Sequence, residues 1–256
     1  MKIWIKNPLT IWTGNDLPAP THGLLIEGSQ IQLLLDEEPQ SYDAIMDASG
    51  LVILPGLINT HHHFYQTLTR SVLAAINKPL FPWLTSLYPI WAKLTEDDIR
   101  LSTQLACAEL LLSGCTTAVD HHYIVSTNIP DPFSIQCDAA EASGIRTFIC
   151  RGSMSLGTSD GGLPPDSVIQ VDEDILHQSE TLISKWHNPQ PGAKTQIALA
   201  PCSPFSVSET LMRDTATLAK QENVLLHTHL AETEDENTFC IERYGERPLD
   251  YIERLG

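Results

Sequence analysis

The rhythm of apolar and polar positions changes near residue 55. Before it the chain reads as short strands: Lys2–Ile5 alternates, Leu24–Ile26 runs into Glu27-Gly28-Ser29, and Ile31–Leu35 returns. Two apolar runs joined by Gly-Ser predict a β-hairpin. After it, strand-like runs alternate with helical ones. Thr95-Glu96-Asp97-Asp98 is a capping-box start, followed by apolar Ile99, Leu101, Leu105, Leu111 and Leu112 and a stop at Gly114. Thr116–Asp120 predicts a strand, Phe133 to Gly144 a helix, and Ile145–Cys150 the next strand. Asp172–Trp186 reads as helix, Gln196–Ala200 as strand, and Ser206-x-x-Glu209 as the start of a helix running to Asn223. Val224–Leu230 is a strand, Thr233-x-x-Glu236 caps the next helix, and Pro248–Leu255 closes the series.

Counted from Leu57, this makes five strand–helix units. Regular alternation of this kind implies parallel strands joined by crossover helices. The expected fold is α/β, of the (β/α)8 TIM-barrel type but incomplete, since a closed barrel takes eight units. It occupies residues 55–256, beside a small β domain over residues 1–54 that is too short to fold alone.

The chemistry gathers where these strands end. The apolar run Leu51–Leu54 leads through Pro55-Gly56 into Leu57-Ile58-Asn59-Thr60 and then His61-His62-His63. Alternate side chains of a strand share a face, so His61 and His63 point together and can grip one metal ion. The second strand ends in Asp120-His121-His122, the third in Arg151 and Ser153, the fourth in Cys202-Ser203, and the fifth in His227, His229 and Glu232. Ligands of parallel β/α proteins collect at these carboxyl ends. His227 reads equally as a hydrogen-bonded core histidine or as a ligand. Glu232 reaches the same side only if the chain bends at Ala231. The Gly- and Pro-rich segment 157–165 predicts a functional loop, with the role of a lid.

Composition narrows the possibilities. Thirty-two acidic residues face fifteen basic ones, a net charge of −17, which disfavours nucleic acid and anionic membranes as partners. Hydrophobic residues make up 42%, enough for a sizeable core. The six cysteines form no Cys-x-x-Cys pair and read as buried thiols. No apolar run is long enough to span a bilayer, and the default expectation is a cytoplasmic location.

Pro55-Gly-Leu-Ile-Asn-Thr-His-His-His-Phe-Tyr-Gln66 followed by His227-Thr-His-Leu-Ala-Glu-Thr233 resembles the amidohydrolase superfamily, in its cytosine, guanine and triazine aminohydrolase branch. The resemblance implies a mononuclear site with His61, His63 and His229 as metal ligands, Glu232 as catalytic proton shuttle and Gln66 as a substrate contact. Zinc is the implied metal, with iron the other choice. Arg151-Gly-Ser-Met-Ser-Leu-Gly-Thr-Ser-Asp-Gly-Gly-Leu-Pro-Pro-Asp166 narrows the likeness to enzymes that deaminate an aminopurine such as 8-oxoguanine, with hydroxytriazine aminohydrolases similar in the same places. Arg151 is there a further substrate-binding candidate. Leu199-Ala200-Pro201-Cys202 holds no lysine of the kind that bridges two metals in binuclear relatives. The resemblance also implies a homo-oligomer at full length, a strand-six histidine and a strand-eight aspartate. Neither of those two lies within residues 1–256, so the alternative expectation is a truncated, non-catalytic fragment or one half of a split barrel.

Overall fold

The computed structural model describes residues 1–14, 20 and 22–256. Its contacts divide the chain into two compact units, Met1–Leu57 and Ile58–Gly256.

The first unit is a small β structure. Strands β1 (Lys2–Lys6), β3 (Gly23–Glu27), β4 (Gln30–Leu35) and β5 (Ala44–Asp47) form one sheet in the order β4-β3-β1-β5. Strands β2 (Thr10–Ile11) and β6 (Val52–Ile53) pair separately and in parallel. The expected hairpin is β3–β4, with Glu27 opposite Gln30 and Gly28 at φ +60° in its turn. Gly23 begins β3 because a Cβ there would lie 1.9 Å from the Ile5 carbonyl oxygen.

The second unit holds a five-stranded sheet: β7 (Leu57–His62), β8 (Cys115–His122), β9 (Arg146–Ser153), β10 (Thr195–Pro201) and β11 (Leu225–Leu226), in the order β11-β10-β9-β8-β7. Strands β8 to β11 run parallel. Helices α1 (Leu80–Trp91), α2 (Glu96–Leu112), α3 (Pro132–Ser143), α4 (Asp172–Trp186), α5 (Glu209–Glu222), α6 (Glu234–Tyr244) and α7 (Pro248–Leu255) alternate with them. These are consecutive units of a (β/α)8-type barrel.

The strands sort their side chains by size. On one face Ile149, Ile197 and Leu199 pack with Cys107, Phe133, Cys137, Leu182 and Leu218 of the helices. On the other face smaller groups meet, Cys150 with Ala198 and Ala200, with Val119 packed against them. The period of two enforces this division, and the small face leaves room at the strand ends.

Of the three caps expected at Thr95, Ser206 and Thr233, one forms as expected and two do not. Thr95 and Asp98 form the reciprocal capping box of α2, and Gly144 closes α3 in the left-handed conformation at φ +82°. Ser206 does not cap α5. Its N–H is tied to the Ser203 carbonyl, so the helix starts two residues later, where the Ser208 hydroxyl accepts from the Leu211 N–H at 3.0 Å. Thr233 stands at the N-cap of α6 without a side-chain cap bond, because Glu236 is engaged elsewhere. No helix among the described residues is long and apolar enough to cross a membrane.

Candidate metal and proton-transfer site

At the end of β7, alternation places His61 and His63 together, with ring centroids 4.7 Å apart. His63 then opens a 3-10 turn, Phe64–Thr69, which carries Gln66. This turn is pinned by Asp120 of β8, whose carboxylate accepts the Phe64 N–H and the Gln136 amide, both at 2.6 Å. Asp120 is wholly buried, and burial pushes its carboxyl up to about 7 against those two donors.

Strand β11 spans only Leu225–Leu226, shorter than the expected 224–230. The chain nevertheless stays beside β10, because the His227 N–H donates to Leu199 O at 2.9 Å and the His229 N–H to Cys202 O at 3.0 Å. His229 thereby faces His63 across the sheet.

The hydrogen bonds of these rings assign their tautomers. The His63 Nδ1–H donates to the carbonyl of His121, and the His229 Nδ1–H donates to the carbonyl of Cys202 at 2.8 Å. A carbonyl can only accept, so each Nδ1 holds the proton and each Nε2 carries a bare lone pair. The two Nε2 atoms face each other at 3.1 Å. Two bare acceptors at that distance repel unless a cation lies between them. Burial holds His63 well below the usual imidazole range and His229 at about 4, so both rings are neutral and ready to ligate. His61 shares a proton with His227, Nδ1 to Nε2, at 2.8 Å. With His61 as donor its own Nε2 is bare as well. The donor atoms of His61, His63 and His229 lie within 4.8 Å of one another. This set suits a divalent metal, and each ring's other nitrogen has the partner that a ligating histidine needs.

Two further groupings meet the same distance: His61 with His121 and His227, and His121 with Cys202 and His229. His121 is wholly buried, stacks on His229 at 4.4 Å, and leaves both ring nitrogens without a partner. Sequence reading placed His121 at a strand end without a role. Its face was readable, because its register partner Cys150 lies on the small-residue face. Cys202 approaches His229 Nδ1 to 3.7 Å, and burial pushes its thiol up to about 12.

Glu232 comes round to the same side. Ala231 adopts φ +54°, the bend required of it, and Glu232 lines the cavity with His61, His63, His229 and Gln66. Burial raises its carboxyl above the usual range. The cavity holds about 310 Å³ and is walled by Trp83 and Tyr88 of α1, Tyr123 and Phe205. None of these four aromatics was identified from the sequence. Tyr123 could have been, since it follows His121 by two and shares its parity. Gln66 donates its amide hydrogens to Tyr65 Oη at 3.2 Å and Tyr123 Oη at 3.1 Å, which leaves its carbonyl oxygen for a ligand.

Two expectations fail. Arg151 is not at this cavity. It lies opposite Leu199 in register, hence on the helix face, where its guanidinium donates to Gly152 O, Gln170 and Gln178 and covers the Phe133 ring at 5.1 Å. Parity excluded it, since Cys150 and Gly152 take the other face. Nor does segment 157–165 line the cavity. It folds on itself through Gly162 N–H to Gly157 O and is held by Leu163 N–H to Phe205 O and by Arg243 to Asp160 O. It is a braced surface loop, not a lid.

A model of the amidohydrolase family matches residues 52–256. The chain is 51% identical to 8-oxoguanine deaminase of Pseudomonas aeruginosa, covering all of this chain and 57% of that protein. It is 38% identical to hydroxydechloroatrazine ethylaminohydrolase of Pseudomonas sp. strain ADP, over 83% of this chain and 44% of the relative. Among solved structures, zinc-complexed atrazine chlorohydrolase TrzN of Arthrobacter aurescens superposes with a TM-score of 0.92 at 29% identity, covering 99% of this chain and 58% of that one. The chain thus spans about half the length of the relatives it matches.

Proposed function

The chain belongs to the amidohydrolase family, and from that premise we propose that it carries the metal-binding and proton-transfer residues of a hydrolytic aminopurine deaminase. The reaction is 8-oxoguanine plus water to urate plus ammonia. The observation that carries this reading is the pair of bare Nε2 atoms of His63 and His229, 3.1 Å apart at a cavity that Glu232 also lines. The 51% identity to an 8-oxoguanine deaminase supports the substrate.

His61, His63 and His229 would hold one divalent cation, zinc by preference, as in the zinc-complexed neighbour, with iron as the other choice. A cation held there would supply the charge that lowers the pKa of a water to about 7. Glu232 takes a proton from the attacking water as general base. Its raised carboxyl brings it closer to the working pH. The water oxygen joins C2, the bond from C2 to the exocyclic nitrogen breaks, Glu232 returns its proton to the departing amine, and the second water proton passes to the adjacent ring nitrogen as the C2 carbonyl forms. The Gln66 carbonyl orients the purine by accepting from a ring N–H or amino group. The aromatic walls hold the planar ring and exclude water.

This reading makes the protein cytoplasmic and, at full length, a homo-oligomer. Its partner is a small heterocycle, in keeping with a net charge of −17 that repels nucleic acid and anionic membranes.

A second reading, a hydroxytriazine aminohydrolase, is favoured by the 38% identical relative and the triazine-family structure. Ammonia release from 8-oxoguanine, guanine, cytosine and hydroxylated triazines distinguishes them. Release with 8-oxoguanine preferred supports the proposal. Preference for a triazine overturns the substrate, and metal binding without release from any of them leaves a non-catalytic fragment.

A further inference from the structure

Four non-glycine residues among those described adopt positive φ: Asn7, Asn77, Asn223 and Ala231. Asparagine tolerates that region because its side chain can bond locally, whereas alanine has no such compensation. Ala231 is therefore strained, and it stands immediately before Glu232. Strain of this kind persists only where the surroundings hold it.

The restraint is visible. Glu236, one turn into α6, is wholly buried. Its Oε2 accepts the Glu232 backbone N–H at 2.7 Å; burial raises its carboxyl above the usual range, and the amides of Glu232 and Ala231 only partly offset that. Its other oxygen, Oε1, is buried without a partner. A buried carboxylate with an orphaned oxygen is costly to keep, and a helix start needs nothing of the sort, since Thr233 holds the N-cap position by backbone alone. Glu236 is neither in the histidine groupings nor among the residues that line the cavity.

We propose that Glu236 is a positioning residue: its carboxylate clasps the backbone at Ala231–Glu232 in the left-handed bend and so aims the Glu232 side chain into the cavity. The role rests on the assignment of Glu232 as proton shuttle. Without the clasp, Ala231 relaxes to negative φ, and the Glu232 carboxylate swings out of line with the water it serves. A displacement of about 1 Å in a reacting group can cost about 100-fold in rate. His63 and His229, held by the carbonyls of His121 and Cys202, and His61, held by the His227 ring, stay in place.

The test compares Glu236→Ala with Glu236→Gln, which keeps a carbonyl oxygen able to accept the Glu232 N–H. In Glu236→Ala, kcat for ammonia release is expected to fall by about 100-fold, with KM and metal content within about twofold of the parent. Glu236→Gln should recover most of that loss. Amide hydrogen exchange gives a readout independent of turnover: the Glu232 amide should lose its protection in Glu236→Ala, while the His229 amide, bonded to Cys202 O, keeps it. Unchanged exchange at Glu232 would overturn the clasp. So would a fall in kcat matched by lost metal or by general loss of protection, which marks a merely structural residue. If the parent releases no ammonia from any heterocycle, the deaminase reading fails, and the exchange experiment still decides the clasp.

Discussion

The two ends of the site are built by different means. At the end of β7, the plain alternation of a strand delivers His61 and His63 to one side and turns His62 away. At the end of β11, regular strand stops at Leu226, and the site is completed by irregular backbone: two bonds to β10 that carry His227 and His229, then a left-handed residue that brings in Glu232. The first end is rigid because it continues a sheet. The second is shaped by specific partners, and each can be removed singly. Metal ligands depend on both ends, whereas the acid depends only on the second.

The largest effect expected from this division is at Glu232. Glu232→Gln should cut deamination by about 10²–10⁴-fold, the scale of a lost general base, and leave metal content at that of the parent. Turnover near normal would remove Glu232 from proton transfer.

Next comes His227, which holds His61 by its Nδ1. His227→Phe should weaken zinc binding by about 10–100-fold, the usual cost of removing the partner of a ligating histidine. His62→Phe, on the other face of β7, should leave zinc affinity unchanged. A metal lost outright in His227→Phe would make His227 a ligand and blur the contrast between the two ends.

Asp120 tests the rigid end. Asp120→Ala leaves the Phe64 N–H and Gln136 without their acceptor and should destabilise the chain by about 1–3 kcal/mol in a denaturant titration. Asp120→Asn should cost less, because Gln136 can turn its orphaned Oε1 towards the new amide.

Asp120 should also produce a pH slope. With the folded carboxyl of Asp120 raised to about 7, the native chain holds a proton that the unfolded chain has released. Its contribution to stability is present below about pH 4 and is lost as pH rises through about 7. Asp120→Asn should flatten that window. An unchanged slope would show that the two donors, not burial, govern this carboxylate.

Much of this was legible in the residues, because strand parity and helix caps are local. Parity selected His61 and His63, and the spacing of His229 and Glu232 required the bend found at Ala231. Arg151 was misplaced for want of the same parity rule. It alternates with Cys150 and Gly152, so it belongs with the helices. The aromatic walls were not legible, because Trp83 and Tyr88 lie on α1, whose position is set by tertiary packing of Leu84, Leu87 and Trp91. The choice between His227 as ligand or as partner turned on which ring nitrogen faces which neighbour, a distance that spacing does not contain. Likewise Glu236 read as half of a capping box, and only the folded chain shows that it serves Glu232 instead.

The central claim is that one divalent cation sits on the Nε2 atoms of His61, His63 and His229. X-ray absorption at the zinc edge of the zinc-loaded protein tests it most directly. The account predicts one zinc per chain with imidazole nitrogens at about 2.0–2.1 Å, lost in His63→Ala and in His229→Ala. A sulfur at about 2.3 Å would move the metal to the grouping of His121, Cys202 and His229, and contradict it.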